Sequence, residues 1–427
     1  MIKIFEYGAV PNSEIFFRGT ASADVSAPVS EIIADVRRRG DTAVIEYCRK
    51  FDGVDLKALE VTAEEIDEAV SLVEDEFIRI MNLAASNIRE FHSRQVREGF
   101  KIEKQNGVVM GQKVIPLEKV GIYVPGGTAA YPSSVLMNCI PAKLAGCSEV
   151  VMATPPGKDG KINPNILVAA KVAGVDRVFK MGGAQAVAAL AYGTESVPKV
   201  DKITGPGNAF VAEAKKQVFG AVAIDMIAGP SEILVVADGK SNPRIVAADM
   251  LSQAEHDKMA SAVLVTDSMD LAKAVQAELE RQIPLLPRAE IAGTSIENNG
   301  KIIVADDIKL AIDIANEIAP EHLELCCDNA MDMLKLVKNA GSVFVGRNCP
   351  EALGDYLAGP NHVLPTGGTA RFSSPLSVDD FVKKMQFTYY TEDALSEVAE
   401  DIAYFADKEG LHGHAKSAVS RFSSEDE

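Results

Sequence analysis

Residues 120–154 read VGIYVPGGTAAYPSSVLMNCIPAKLAGCSEVVMAT, and this stretch decides the fold. Val120–Val124 is a short β-rich run that ends in a Gly-rich turn. Ser133–Leu144 follows with helical character and is stopped by Gly146. Glu149–Thr154 is a second β-rich run. The alternation continues outward: a helix ended by Gly174, a strand at Val175–Lys180, a helix at Ala184–Tyr192, a strand at Val200–Thr204 and a helix at Ala209–Phe219. Strand ends fall near 124, 154, 180 and 204, so the step is about 24–30 residues, the size of a β-α unit. Such alternation requires right-handed crossovers and gives a parallel sheet with helices on its faces. Ligands in such sheets are expected at the carboxyl ends of the strands.

A second α/β set follows. Ile233–Ala237 and Ala262–Thr266 read as strands, and between them Pro243 opens a helix running to about His256. Ile302–Val304, Leu323–Cys326 and Ser342–Val345 are further strands. Nearer the N-terminus, Thr62-x-x-Glu65 is a capping box. After it Ile66, Val70, Val73, Phe77, Ile80, Ala84, Ile88 and Phe91 recur at helical steps, which predicts one long amphipathic helix whose stripe is core. Arg37-Arg38-Arg39 reads as the solvated last turn of a helix ending at Gly40. Beyond about 370 the chain turns helical, over Glu392–Asp407 and near His414. The fold class is therefore α/β: two Rossmann-like, incomplete parallel-sheet lobes with small N- and C-terminal helical segments.

Composition excludes several functions. The 427 residues carry 43 Lys+Arg against 61 Asp+Glu, a net charge of −18. A surface that acidic repels phosphate backbones and anionic lipid, which argues against nucleic-acid and membrane-surface roles. No apolar run approaches the roughly 20 residues of a membrane span. The start, MIKIFEYGAV, has no basic region followed by an apolar one, so a cytoplasmic protein is expected. The six cysteines form no C-x-x-C pair, so buried reduced thiols are expected; Cys326 and Cys327, just after His322, are the weak exception.

Three Gly-rich turns end strands and open helices: Pro125-Gly126-Gly127-Thr128, Gly182-Gly183-Ala184-Gln185 and Gly205-Pro206-Gly207-Asn208. Free N–H groups at such turns favour anions such as a pyrophosphate. None fits G-x-G-x-x-G or the phosphate loop G-x-x-x-x-G-K-[ST], so a bound dinucleotide is not held by the usual fingerprint. Histidine occurs six times. Gln253 and His256 are expected on one helix face at i and i+3. With Asp355 and His414 they could form a mixed nitrogen and oxygen site for zinc. Glu321-His322 lies where a helix gives way to a strand, and a carboxyl beside an imidazole suits proton transfer near neutral pH. A solvated turn is the competing reading of the same residues.

Taken together these residues resemble the histidinol dehydrogenase family over nearly the full length. The carrying segments are Val120–Gly127, Gly182–Val187, Asp201–Asn208, Ile227–Glu232, Leu251–Asp257, Ala319–Glu324, Gly354–Thr366 and Glu409–His414. The resemblance implies NAD-dependent, zinc-requiring oxidation of L-histidinol to L-histidine in two hydride transfers through bound L-histidinaldehyde, the last step of histidine biosynthesis. By motif, Gln253, His256, Asp355 and His414 match the zinc ligands, one ion per subunit, and Glu321 and His322 the acid/base pair. Ser231, Glu409 and His362 match substrate contacts, alongside the metal set and His322. Tyr123, Gln185 and Asn208 match the NAD positions. The family's homodimer implies that Glu409 and His414 serve the partner's site. On this reading residues 1–23 are a small N-terminal segment. Residues 24–112 with 232–370 form an α/β domain carrying metal and acid/base residues, 113–231 an inserted NAD-binding domain, and 371–427 a C-terminal helical segment reaching the partner. One departure is His412, a second imidazole two residues before His414, expected to face solvent. A sister dehydrogenase for another alcohol and a zinc hydrolase without nicotinamide are the rival readings.

Overall fold

The computed structural model describes residues 1–16, 24–126 and 130–423. Its strands are β1 (Lys3–Glu6), β2 (Phe100–Glu103), β3 (Val109–Pro116), β4 (Lys119–Tyr123), β5 (Glu149–Thr154), β6 (Arg177–Lys180) and β7 (Lys202–Thr204). They continue with β8 (Ala223–Ile224), β9 (Glu232–Ala237), β10 (Ser261–Thr266), β11 (Lys301–Val304), β12 (His322–Cys326), β13 (Ser342–Val345) and β14 (Val382–Tyr389). The α/β fold expected from the alternation is present as two parallel sheets.

The first sheet runs β6-β5-β4-β7-β8, entirely parallel. Its strands are buried on both faces, which is why β5 reads as a nearly unbroken apolar run. Val120, Ile122, Val150 and Met152 face one core, with the helices Pro132–Ala145 and Pro164–Ala173. Tyr123, Val151, Ala153 and Ile203 face the other, with Gly183–Tyr192 and Ala209–Val218. Proline opens the first two of these helices, where its missing N–H costs nothing, and Gly146 and Gly174 end them in the left-handed conformation.

The second sheet runs β1-β11-β10-β9-β12-β13, again all parallel. Ile233, Val235, Leu264 and Ile302 pack against the helices Pro243–Ala254, Met269–Gln282 and Ala289–Asn299. Leu234, Val236, Val265, Leu323 and Leu325 pack against Ile308–Ile318. A separate compact unit, Val96–Pro116 with Val382–Glu427, holds an antiparallel sheet β14-β3-β2 and the helices Ala399–Lys408 and His412–Val419. Among the described residues no helix is long and apolar enough to cross a membrane.

Three expectations are corrected. The long helix over 66–91 is two helices, Ala63–Leu72 and Asp75–Ser93, broken where Val73 and Glu74 are extended. The break lets the first lie on Pro164–Ala173 and the second on Pro132–Ala145, which one straight rod could not follow. Phe91, placed in the stripe, is exposed, and His92 is buried in its stead. The C-terminal region is not purely helical, since β14 pairs with β3 along all eight of its residues. Helices between 26 and 93 pack into the two cores of the first sheet, where Asp75–Ser93 also meets Leu357, Asn361 and Val363, and β1 joins the second sheet. The turn at Gly127–Thr128 lies outside the described residues.

Gly205, after β7, has φ +115°, and a Cβ there would come within 2.0 Å of the Tyr123 carbonyl oxygen. Gly205→Ala is expected to cost at least about 2 kcal/mol, through both strain and collision. Urea denaturation of the variant would read this directly, and an unchanged midpoint would refute it.

Candidate active site

The carboxyl edge of the first sheet is a tightly packed set of turns. Pro155, just after β5, fills the space where a Cβ on Gly126 or Gly182 would sit, at 2.6 and 2.7 Å. Gly182 caps the helix Gly183–Tyr192, and the Gly183 N–H donates to the Tyr123 hydroxyl at 3.0 Å. Gln185 is buried in the first turn of that helix, and its Oε1 has no hydrogen-bond partner. Asn208 caps the helix Ala209–Val218, accepting from the N–H groups of Phe210 and Val211. The Gly205 peptide is held at both ends by one buried ion pair. Its N–H donates to Asp225 at 2.7 Å, and its carbonyl accepts from Lys215 Nζ at 2.9 Å. The result is a rigid, close-packed edge at two helix starts, with one orphaned amide oxygen. The dipoles of the two helix starts fit the phosphates of a dinucleotide, and the Gln185 oxygen suits a hydroxyl or amide donor of the same ligand.

The second sheet uses its opposite edge. Its carboxyl end is closed by charge: Arg347, after β13, grips both oxygens of Asp238 at 2.6 Å and one of Asp328 at 2.9 Å. The chemistry-bearing residues gather instead at the amino ends of β9 and β12, the reverse of the expectation for such sheets. The helix Ile308–Ile318 ends at Ala319, which is left-handed at φ +51° although it is not glycine. Pro320 and Glu321 follow, and His322 is itself the first residue of β12.

The Glu232 backbone, at the start of β9, fixes the pair. Its N–H donates to Glu321 Oε2 at 2.8 Å, and its carbonyl accepts from His322 Nδ1 at 2.9 Å. The His322 proton therefore sits on Nδ1 and the lone pair on Nε2. Burial pushes the His322 imidazole down to about 4, helped by His362 and His256 and opposed by Asp355. Burial pushes the Glu321 carboxyl well above its usual range, and the charges of Asp355 and Glu351 add to this. At neutral pH His322 is thus a neutral base, and burial favours the uncharged form of the Glu321 carboxyl beside it, an acid/base arrangement made by environment.

Around Nε2 lie further donors. Glu351 Oε1 is 3.6 Å away, buried and without a hydrogen bond. Ligand atoms of His322, Glu351 and Asp355 lie within 4.8 Å of one another. Burial would raise Asp355, but its hydrogen bond to His362 and the charges of His362 and His322 hold it below the usual carboxylate range. His362 Nδ1 is 3.4 Å from Asp355, and its Nε2 is 3.4 Å from the Ser134 hydroxyl. Gln253 is buried at the end of its helix; its side chain hydrogen-bonds Glu351, and its Oε1 has no partner. His256 is exposed and lies beyond the helix, which ends at Ala254, so the shared-face expectation is replaced by a turn with His256 N–H on the Gln253 carbonyl at 3.1 Å. An orphaned amide oxygen, a low-lying carboxylate and imidazole nitrogen make a donor set that fits zinc. Ser231 is half-buried just before β9.

His414 and Glu409 belong to the separate unit, where both are exposed. His412 is also exposed there and pairs with Asp407 at 2.7 Å. The thiols of Cys326 and Cys327 are buried and pushed upward by that burial, which removes them as nucleophiles. Sequence reading missed Glu232, Glu351 and Ser134. Glu232 acts through its backbone, which no side-chain pattern reports. Glu351 stands four residues before Asp355 on one short helix, and that spacing was the available signal.

A family model described as "Histidinol dehydrogenase" matches residues 18–422. A histidinol dehydrogenase of Clostridium acetobutylicum is 55% identical over 427 residues, covering 99% of both chains. One from Bacillus cereus is 56% identical over 402 residues, covering 94% of each. The crystal structure of histidinol dehydrogenase from Elizabethkingia anophelis superposes with a TM-score of 0.93 at 40% identity, covering 98% of each chain.

Burial of neutral His322 makes stability depend on pH. Between its folded value of about 4 and its ordinary 6.5, only the unfolded chain binds this proton. The stabilisation is complete above 6.5 and is lost as pH falls through 4, at most about 3 kcal/mol. In metal-stripped protein, denaturation between pH 7 and 4.5 should show a slope about one proton steeper for wild type than for His322→Asn. Equal slopes would mean the imidazole is not buried neutral.

Proposed function

The chain belongs to the histidinol dehydrogenase family, and on that premise we propose that this oxidoreductase converts L-histidinol to L-histidine with two NAD⁺ and one zinc ion per subunit. The observation that carries the reading is the Glu232 clamp, which leaves His322 Nε2 unprotonated 3.6 Å from Glu351, in a cluster whose ligand atoms from His322, Glu351 and Asp355 lie within 4.8 Å of one another. When bound, NAD⁺ takes up a hydride in each oxidation, and zinc orients the imidazole and amine of the substrate.

The chain's own residues do the rest. His322 Nε2 accepts the hydroxyl proton of the alcohol as its carbon is oxidised. The resulting L-histidinaldehyde stays held by the site, which protects it from loss. The ionised Glu321 carboxylate accepts a proton from the water as its oxygen bonds to the aldehyde carbon. His322 releases its first proton to solvent, then accepts a hydroxyl proton of the hydrate as the second hydride leaves that carbon, and the acid is released. Gln253, His256 and Asp355 hold the metal, with His414 supplied by a partner copy. Ser231, His362 and Glu409 contact substrate. Tyr123 and Gln185 shape the NAD cradle, and Asn208 lies at its rim. In this scheme 113–231 is the NAD-binding domain and 232–370 bears the chemistry. A homodimer is supported by the exposed apolar side chains of the separate unit, Ile402, Tyr404, Phe405 and Leu411, beside exposed Glu409 and His414. The site of action proposed is the cytoplasm.

NADH formed from limiting L-histidinol by zinc-loaded protein should reach two per substrate. Activity should vanish on chelation and fall roughly 10²–10⁴-fold in His322→Asn. One NADH per substrate would remove the second oxidation, and none, with NAD⁺ still bound, would favour a sister dehydrogenase for another alcohol. The two imidazoles of the last helix should separate cleanly. His414→Ala should lower zinc affinity at least tenfold, whereas His412→Ala, its partner being Asp407, should leave it unchanged. Equal losses in competition with a fluorescent chelator would put His412 among the ligands.

A further inference from the structure

Two residues after His322 on the same face of β12 stands Glu324, a carboxyl only 1% exposed. It closes the motif Pro320-Glu-His-Leu-Glu324, yet the reaction gives it no task. Its Oε1 accepts the Glu351 N–H at 2.8 Å. That N–H opens the short helix Glu351–Tyr356, which has no capping side chain from its own N-cap residue Pro350. On its other side Glu324 faces Asp249 of the helix Pro243–Ala254. Oxygens of Glu324 and Asp249 and the sulfur of Cys326 lie within 4.8 Å of one another. Asp249 lies one turn before Gln253, so the two share a helix face.

We infer that Asp249 and Glu324 are a positioning pair that locks the three elements carrying Gln253, His322 and Asp355 into one register. The assignment rests on reading Gln253, His256 and Asp355 as metal ligands. Two carboxyl groups can hydrogen-bond only when one of them holds a proton, and burial raises both, Glu324 more than Asp249. A buried carboxyl beside a half-buried one is costly to desolvate, and the two are poor stabilisers compared with apolar side chains. What they supply is direction. Each hydrogen bond fixes an angle as well as a distance, and together they tie one strand to two helices immediately behind the site. An apolar core would fill the same space and leave the helices free to slide. Metal ligands supported in this way typically lose 10–100-fold in affinity when the support goes.

The test uses full-length protein. Glu324→Gln and Asp249→Asn keep an acceptor for the Glu351 N–H and a donor between the pair. Both should retain zinc affinity and kcat within about threefold. Glu324→Leu should weaken zinc at least tenfold by chelator competition, lower kcat, leave the KM for NAD⁺ within twofold, and abolish protection of the Glu351 amide in hydrogen exchange. Asp249→Ala, which keeps the Glu324 cap, covers the case in which Glu324→Leu does not fold, and should weaken zinc several-fold. Wild-type zinc affinity and full Glu351 protection in a folded apolar variant would overturn the pair. So would a second zinc per chain that Glu324→Gln removes, since the cluster would then be a metal site. Zinc binding that survives His256→Ala would instead sink the ligand assignment, while the exchange readout still decides whether Glu324 holds its helix.

Discussion

The backbone of one residue, Glu232, sets the chemistry of this protein. Its N–H takes Glu321 and its carbonyl takes His322, so both side chains are aimed by the rigid start of a central strand. Backbone at a strand edge does not change rotamer, and the hydrogen bond to Nδ1 determines which imidazole nitrogen is free. Everything else at the site is arranged around that choice: Glu351 and Asp355 near Nε2, His362 behind Asp355, and Gln253 with an amide oxygen left over.

The two parallel sheets share a plan and are used at opposite ends. The first presents two helix starts at its carboxyl edge, stiffened by a buried Lys215–Asp225 pair holding Gly205. The second has that edge closed by Arg347, Asp238 and Asp328, and carries its reactive side chains at the amino edge. Helix direction makes this possible. The helix after β9 runs back antiparallel to the strands, so its last turn carries Gln253, and the turn that follows it carries His256, toward the amino edge of the sheet.

The electrostatics follow from depth. Several acidic groups, Glu321, Glu324, Glu351 and Asp355, crowd a region from which water is largely excluded. Such crowding keeps some of them protonated and leaves a net demand for positive charge, which a divalent cation would answer. Backbone N–H groups hold two of them, that of Glu351 on Glu324 and that of Glu232 on Glu321, so the site is held by geometry before any ligand enters.

Sequence alone determined the strand–helix alternation, the helix stops at Gly146 and Gly174, the motif residues and the burial of five of the six thiols, Cys349 being half-buried, because each is a local property of turn chemistry or side-chain type. Tertiary structure decided what depends on contacts between distant segments. It broke the helix at Val73 because two different neighbours had to be followed. It made a strand of Val382–Tyr389, whose mostly exposed side chains show little alternation, because a partner 270 residues earlier offered its edge. It moved the reactive residues to the amino edge of the second sheet and gave the Glu232 backbone its role. Spacing in sequence reports which side chains a chain owns, and only packing decides which of them meet, which are dry, and therefore which hold a proton.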